Sequence, residues 1–206
     1  MATPIGHSLV AGLVYMNRTG ARGLDLPVVL LFVFFANAPD LDFLPGILVG
    51  DPGAYHHGIS HSLGFALMVA VVAALVATKV SGRFSQLKLP SLIAVGFLLY
   101  ASHLLLDLVT LDDSVPFGMP LFWPISGTYV HMPVFVFPNV LHSGSQLSLH
   151  NAGLVLREIL VFGPPLVYMT LLSRGWFRSG RRVGAALAVG GAGALMALFM
   201  TVNPYF

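Results

Sequence analysis

His103 and Asp107, in the stretch SHLLLDLVT, stand four residues apart. A helix would place them one turn apart on a single face, where both can ligate one ion. A hydrogen bond within the helix would use the same spacing. Asp40 and Asp42, in NAPDLDFLP, stand two apart and would point to different faces of a regular helix, but Pro39 and Pro45 mark a break. In unwound backbone the two carboxylates can converge, and one can bridge two ions; interfacial acids capping a turn are the alternative. A third stretch, HHGISHS, supplies His56, His57 and His61. Ser60 is a candidate N-cap for a following helix, and Gly58 would allow a tight turn that folds the first imidazoles back toward His61. A wet interfacial loop would tolerate the same histidines.

The elements that must position these groups are membrane helices. The 206-residue chain is 56% hydrophobic and 9% charged, with a mean hydropathy of +0.85, whereas a soluble domain is roughly one-quarter charged. A span needs about 20 mostly apolar residues. Residues 26–49, 62–80, 89–111 and 183–202 meet that requirement. Residues 152–173 carry Arg157, Glu158, Pro164 and Pro165, so a kinked span is expected there. Residues 4–16 are short for a span and read best as one sheltered by its neighbours, a re-entrant segment being the other option. Alternating barrel-strand patterns are absent. The expected fold is all-α: a polytopic integral membrane helix bundle of about five to six membrane segments, forming a single domain over 1–206.

Charge sets the orientation. Arg18 and Arg22, then Lys79, Arg83 and Lys88, then Arg174, Arg178, Arg181 and Arg182 fall in alternate loops, which the positive-inside rule makes cytoplasmic. The loops 50–60 and 112–151 contain no Lys or Arg and are expected outside, in a multi-pass protein of the inner membrane. No signal peptide is evident at the N-terminus. On this topology His7, Asp40, Asp42, His56, His57, His61, His103 and Asp107 all fall at outer helix ends. Four segments thus deliver His and Asp to one side, and ionisable groups in spans are unfavourable unless paired, hydrated or metal-bound. Gly190 to Gly193 offer small residues for close packing in the last span.

Other polar residues are less directed. His131, His142 and His150 lie in the long outer loop with FGMPLFWPISG, whose aromatics and prolines fit an interfacial belt better than a substrate slot. His150 is the nearest additional ligand candidate. Arg157 is the only cation on the outer side, a partner either for a substrate phosphate or for Glu158. A net charge of +2 with scattered basic residues argues against nucleic acid. With no cysteine, a metal must be held by His and carboxylate.

TPIGHSLVAG, PDLDF, HHGISHS and SHLLLDLVT followed by FGMPLFWPIS resemble, in order and spacing, the YdjM-like family of membrane-bound metal-dependent hydrolases of the LexA-regulated type. The resemblance covers Thr3 to about Ser126 and implies metal-site roles for His7, Asp40, Asp42, His56, His61, His103 and Asp107. Position 57 commonly carries Arg in such proteins; here it is His57, which leaves a cationic role to Arg157. A more distant similarity links the chain to zinc-dependent phospholipase C. The His-x-x-x-Glu pair of that group is missing, since Leu154 follows His150 at that spacing, so one or two metals are implied rather than three.

The expected activity is hydrolysis of a lipid phosphate ester at the extracytoplasmic membrane surface. A divalent transition metal would activate water, Zn first and Mn or Fe next, with Asp40, Asp42 and Arg157 as catalytic residues. The lipid substrate is the one partner implied; nothing in the sequence sets the oligomeric state. A membrane metal-ion or proton transporter could use the same cluster, but it would place polar residues along the whole path, and the inner halves of these spans are nearly bare. A non-catalytic scaffold would leave the ligand candidates without a purpose. The orientation is testable. A Cys replacing Gly53 should react with an impermeant thiol reagent in intact cells and one replacing Ser85 should not; the reverse pattern would put the site on the cytoplasmic side.

Overall fold

The computed structural model describes residues 2–19, 24–51, 53–85, 87–111, 116–133, 135, 137–140 and 148–173. The expected span 183–202, the basic residues Arg22, Arg174, Arg178, Arg181 and Arg182, and Asp112 and His142 lie outside the described residues. Among the described residues seven α-helices follow in order: α1 Pro4–Thr19, α2 Leu26–Asn37, α3 Phe43–Leu48, α4 Leu63–Val80, α5 Gly82–Ser85, α6 Leu89–Leu108 and α7 Leu149–Ser173, with a 3₁₀ turn at Ala38–Asp42 between α2 and α3. The fold is all-α, with an isolated antiparallel bridge between Met119 and Val130. Among the described residues four stretches, Leu26–Leu48, Leu63–Val80, Leu89–Leu108 and Leu149–Leu171, are long and apolar enough to cross a membrane. The chain is therefore an integral, multi-pass membrane protein.

The helices divide between two compact units, Met1–Val33 with Val136–Phe206, and Phe34–Phe135. In the first, α1 packs against α7. Glu158, on α7, accepts hydrogen bonds from Thr3 N, Thr3 Oγ1 and Gly6 N. A carboxylate thus satisfies amides that the start of α1 would otherwise leave open, and its charge complements the positive end of the helix dipole. Farther along, Tyr15 meets Phe32 edge-on and accepts a hydrogen bond from Asp25 N at 2.7 Å. Helix α7 continues through Pro164 and Pro165.

The second unit holds most of the polar motifs. The α2 helix ends where Pro39 can supply no amide to the ladder, and the chain tightens into the 3₁₀ turn. Helix α4 begins at Ser62, whose hydroxyl accepts from Phe65 N at 3.2 Å. Its next two amides, Leu63 N and Gly64 N, donate to the carbonyls of Leu121 and Trp123 at 2.9 and 3.2 Å. Residue 64 must be glycine for this approach, since a Cβ would run into the Trp123 carbonyl. Ser62, not Ser60, is therefore the N-cap.

Helices α4 and α6 pack closely against each other. The buried face of α4 is Ala66, Ala70 and Ala74, one small residue per turn, while Leu67, Met68, Val72 and Val76 are exposed. On α6 the buried stripe runs through Leu92, Val95, Gly96, Leu99, Tyr100, His103, Leu104 and Asp107. Small residues let membrane helices approach closely enough for van der Waals contact to hold them. Substituting Ala70→Phe should destabilise the protein by about 1–3 kcal/mol through overpacking, whereas Val72→Phe on the exposed face should be near neutral. Thermal unfolding midpoints in detergent will check this, and equal midpoints for the two variants would contradict the packing.

Candidate metal centre

Three segments of the second unit converge. The 3₁₀ turn carries Asp40 and Asp42, the loop before α4 carries His56, His57 and His61, and the last turns of α6 carry His103 and Asp107. His61 and His103 are wholly buried, with Asp107 and His57 nearly so. His103 Nε2 stands 3.1 Å from Asp107 Oδ2 and 3.4 Å from Asp40 Oδ1; His61 Nε2 stands 3.5 Å and 3.8 Å from the same two atoms.

These separations are those of a coordination shell. Donors about 2.0–2.1 Å from a tetrahedral ion lie roughly 3.4 Å from one another. All four donor atoms, from Asp40, His61, His103 and Asp107, lie within 4.8 Å of one another. Two further sets meet the same limit: His56, His57 and His61, and Asp40, Asp42 and His56. The cluster could hold a metal ion, and the donor set suits one.

Surrounding groups fix which nitrogen faces the centre. His103 Nδ1 lies 2.8 Å from the carbonyl of Ala36. A carbonyl only accepts, so Nδ1 donates to it and Nε2 presents its lone pair inward. Asp42 does the same for two histidines, with Oδ2 3.0 Å from His61 Nδ1 and Oδ1 3.1 Å from His56 Nδ1. Ser60 Oγ donates to Asp42 Oδ2 at 2.7 Å, and the Ser60 carbonyl accepts from the Tyr100 hydroxyl at 2.7 Å. Of the two acids, Asp40 belongs to the four-donor set, and Asp42 orients the imidazoles of His61 and His56.

The loop histidines differ in electrostatics. Burial is the largest influence on the His56 pKa and pushes it down to about 4, against the opposing effect of the hydrogen bond that His56 donates to Asp42. Its imidazole is therefore neutral near pH 7, the form that binds metal. For His61 burial also opposes the charge, but Asp107 and Asp42 outweigh it and raise its pKa above the ordinary value. Carboxylates that favour a proton there also favour a metal cation in its place.

The structure also corrects the expected turn. The left-handed residue is His57, with φ 59, rather than Gly58; histidine is among the side chains that tolerate this region best. His57 Nε2 lies 4.0 Å from Asp107 Oδ2, so a residue that the sequence left without a role stands beside the donors. His7 and Arg157 belong to the other unit, each fully buried there on α1 and α7. His150 is exposed and donates from Nε2 to the Asn139 carbonyl at 2.8 Å.

A family model for the YdjM inner membrane protein matches residues 1–180. The chain belongs to the YdjM inner membrane protein family. No curated protein and no solved structure matches it.

Titrated with Zn²⁺, the purified protein should take up a tight equivalent that His61→Ala, His103→Ala, Asp40→Ala and Asp107→Ala each lose. Asp42→Asn should weaken it by about 10- to 100-fold, as expected when the partner of a ligating histidine is removed. His150→Ala should bind as the parent does. Metal uptake that survives His103→Ala would rule out this centre.

Proposed function

We propose that the protein is a membrane-embedded metal-dependent hydrolase that cleaves a phosphate ester of a lipid, with its active site toward the extracytoplasmic side of the inner membrane. What carries this reading is the convergence of Asp40, His61, His103 and Asp107 at coordination distances, with His61 and His103 each held from behind. Zinc is the first choice for two imidazoles, two carboxylates and no thiolate, with Mn or Fe next. The set Asp40, Asp42 and His56 supports a second ion. Such an ion supplies Lewis-acid polarisation of a phosphoryl oxygen and lowers the pKa of water.

The chain's own residues supply the rest. Asp107 of the four-donor set also lines a cavity beside the centre, and substrate reaches the centre on that side. Asp42 stands outside that set and holds His56 at 3.1 Å; with one ion bound at the four-donor set, this pair is the acceptor for the proton that water gives up. A site at the ends of apolar spans favours a lipid substrate. Along α4 and α6 the site residues lie at one end and Lys79 and Lys88 at the other, and the basic end is the cytoplasmic one. Two roles rest on the sequence alone: His7 as a further ligand and Arg157 as the partner of the substrate phosphate.

Metal-replete protein incubated with a mixed lipid extract should release head groups or inorganic phosphate, followed by mass spectrometry. Asp42→Asn, assayed at saturating metal, should lose about 10²- to 10⁴-fold in turnover, while Arg157→Ala should raise KM or slow turnover with metal intact. If a carboxylic ester or amide is consumed and no phosphate ester is, the substrate class is wrong.

A further inference from the structure

Beside the metal centre the second unit encloses a cavity of about 100 Å³ whose wall includes His57 and Asp107. Most of the remaining wall is apolar, from Leu108, Phe117, Met119, Met132 and Phe135, and His131 adds a further imidazole to it. The bridge between Met119 and Val130, with N–H···O bonds of 3.1 and 2.9 Å, ties the two loop segments together around it. Thr110 also lines it, but its hydroxyl donates to the Leu106 carbonyl at 2.8 Å and is already engaged. Phe117 is 53% exposed and Phe135 39%, so the cavity opens to the surface past aromatic side chains.

An apolar chamber that shares Asp107 with the donor set receives whatever is bonded next to the group undergoing reaction. A head group, or the glycerol of a diacyl lipid, would set most of its polar oxygens against Phe117, Met119, Met132 and Leu108, where they lose their water. Size points the same way. An apolar cavity of roughly 150 Å³ admits benzene, so this smaller one has room for a few carbons of one chain and not for two chains side by side.

Building on the hydrolase reading, we propose that this cavity is the subsite for the first carbons of a single hydrocarbon chain bonded directly to the scissile phosphate. The substrate class is then a long-chain alcohol phosphate. In the reaction the oxygen of water bonds to phosphorus and the P–O bond to the alcohol breaks. One proton of water ends on the departing alkoxide, which leaves inorganic phosphate and the free alcohol.

The test uses full-length, metal-replete protein in nanodiscs with dodecyl phosphate, phosphatidic acid and the non-hydrolysable dodecylphosphonate. Dodecyl phosphate should be the better substrate. Phe117→Ala and Phe135→Ala should each raise its KM, and the Kd of the phosphonate, by about tenfold with bound metal unchanged; Ile125→Ala, outside the cavity and 93% exposed, should change neither. Thermal midpoints show which variants are folded, and either Phe variant suffices. Unchanged phosphonate affinity in a folded Phe variant, or preferred cleavage of phosphatidic acid, overturns the subsite. If no phosphate ester is turned over yet the phosphonate still binds and weakens in the Phe variants, the hydrolase reading falls and the chain subsite stands.

Discussion

The carboxylate of Asp42 is the point on which the polar half of the second unit turns. It engages His61, His56 and Ser60 at 3.0, 3.1 and 2.7 Å, and so ties the loop before α4 to the 3₁₀ turn after α2. Ser60 passes the connection to α6 through the Tyr100 hydroxyl. Hydrogen bonds to an ionised acceptor are among the stronger ones, and in a low dielectric they polarise one another. They hold the imidazoles of His56 and His61 in a fixed relation to the acids of the turn. The break at Pro39 makes this possible, because a continued α-helix would carry Asp40 and Asp42 on different faces.

Much of this was legible in the sequence, for reasons that differ by residue. Membrane spans follow from apolar length alone, and the observed stretches agree with the expected ones to within a few residues. The pairing of His103 with Asp107 follows from helix periodicity, and the convergence of Asp40 with Asp42 from the flanking prolines. The division of labour between those two acids was not legible. It depends on which imidazole each one meets after α6 packs, and that contact lies more than sixty residues away in sequence for His103 and Asp40.

Local turn chemistry misled in an instructive way. HHGISHS offers a glycine for the tight turn and two serines for the cap, and the expected choice fell on Gly58 and Ser60. The structure uses His57 in the left-handed region and Ser62 as the cap. A long-range demand decides both: Ser60 is needed by Asp42 and Tyr100, so capping passes to Ser62, whose neighbours also donate to the carbonyls of Leu121 and Trp123. Glu158 is a parallel case. Its carboxylate accepts from amides at the start of α1, a partner 152 residues away for Gly6 that no local pattern announces.

The same contrast explains why FGMPLFWPISG is hard to read as a motif. Its residues serve two purposes in alternation. Leu121 and Trp123 lend backbone carbonyls to the start of α4, a role any side chain permits, while Phe117 and Met119 contribute side chains to the cavity beside Asp107. An interfacial belt has the same composition, so composition alone cannot separate a belt from a chamber. Position does: Phe117 lines the cavity beside Asp107 and His57 and narrows what can approach them, whereas Phe122, equally exposed, is not part of that wall. One short loop therefore links the stability of α4 to the wall of the cavity, and a change that loosens its carbonyl contacts with α4 should be felt at both.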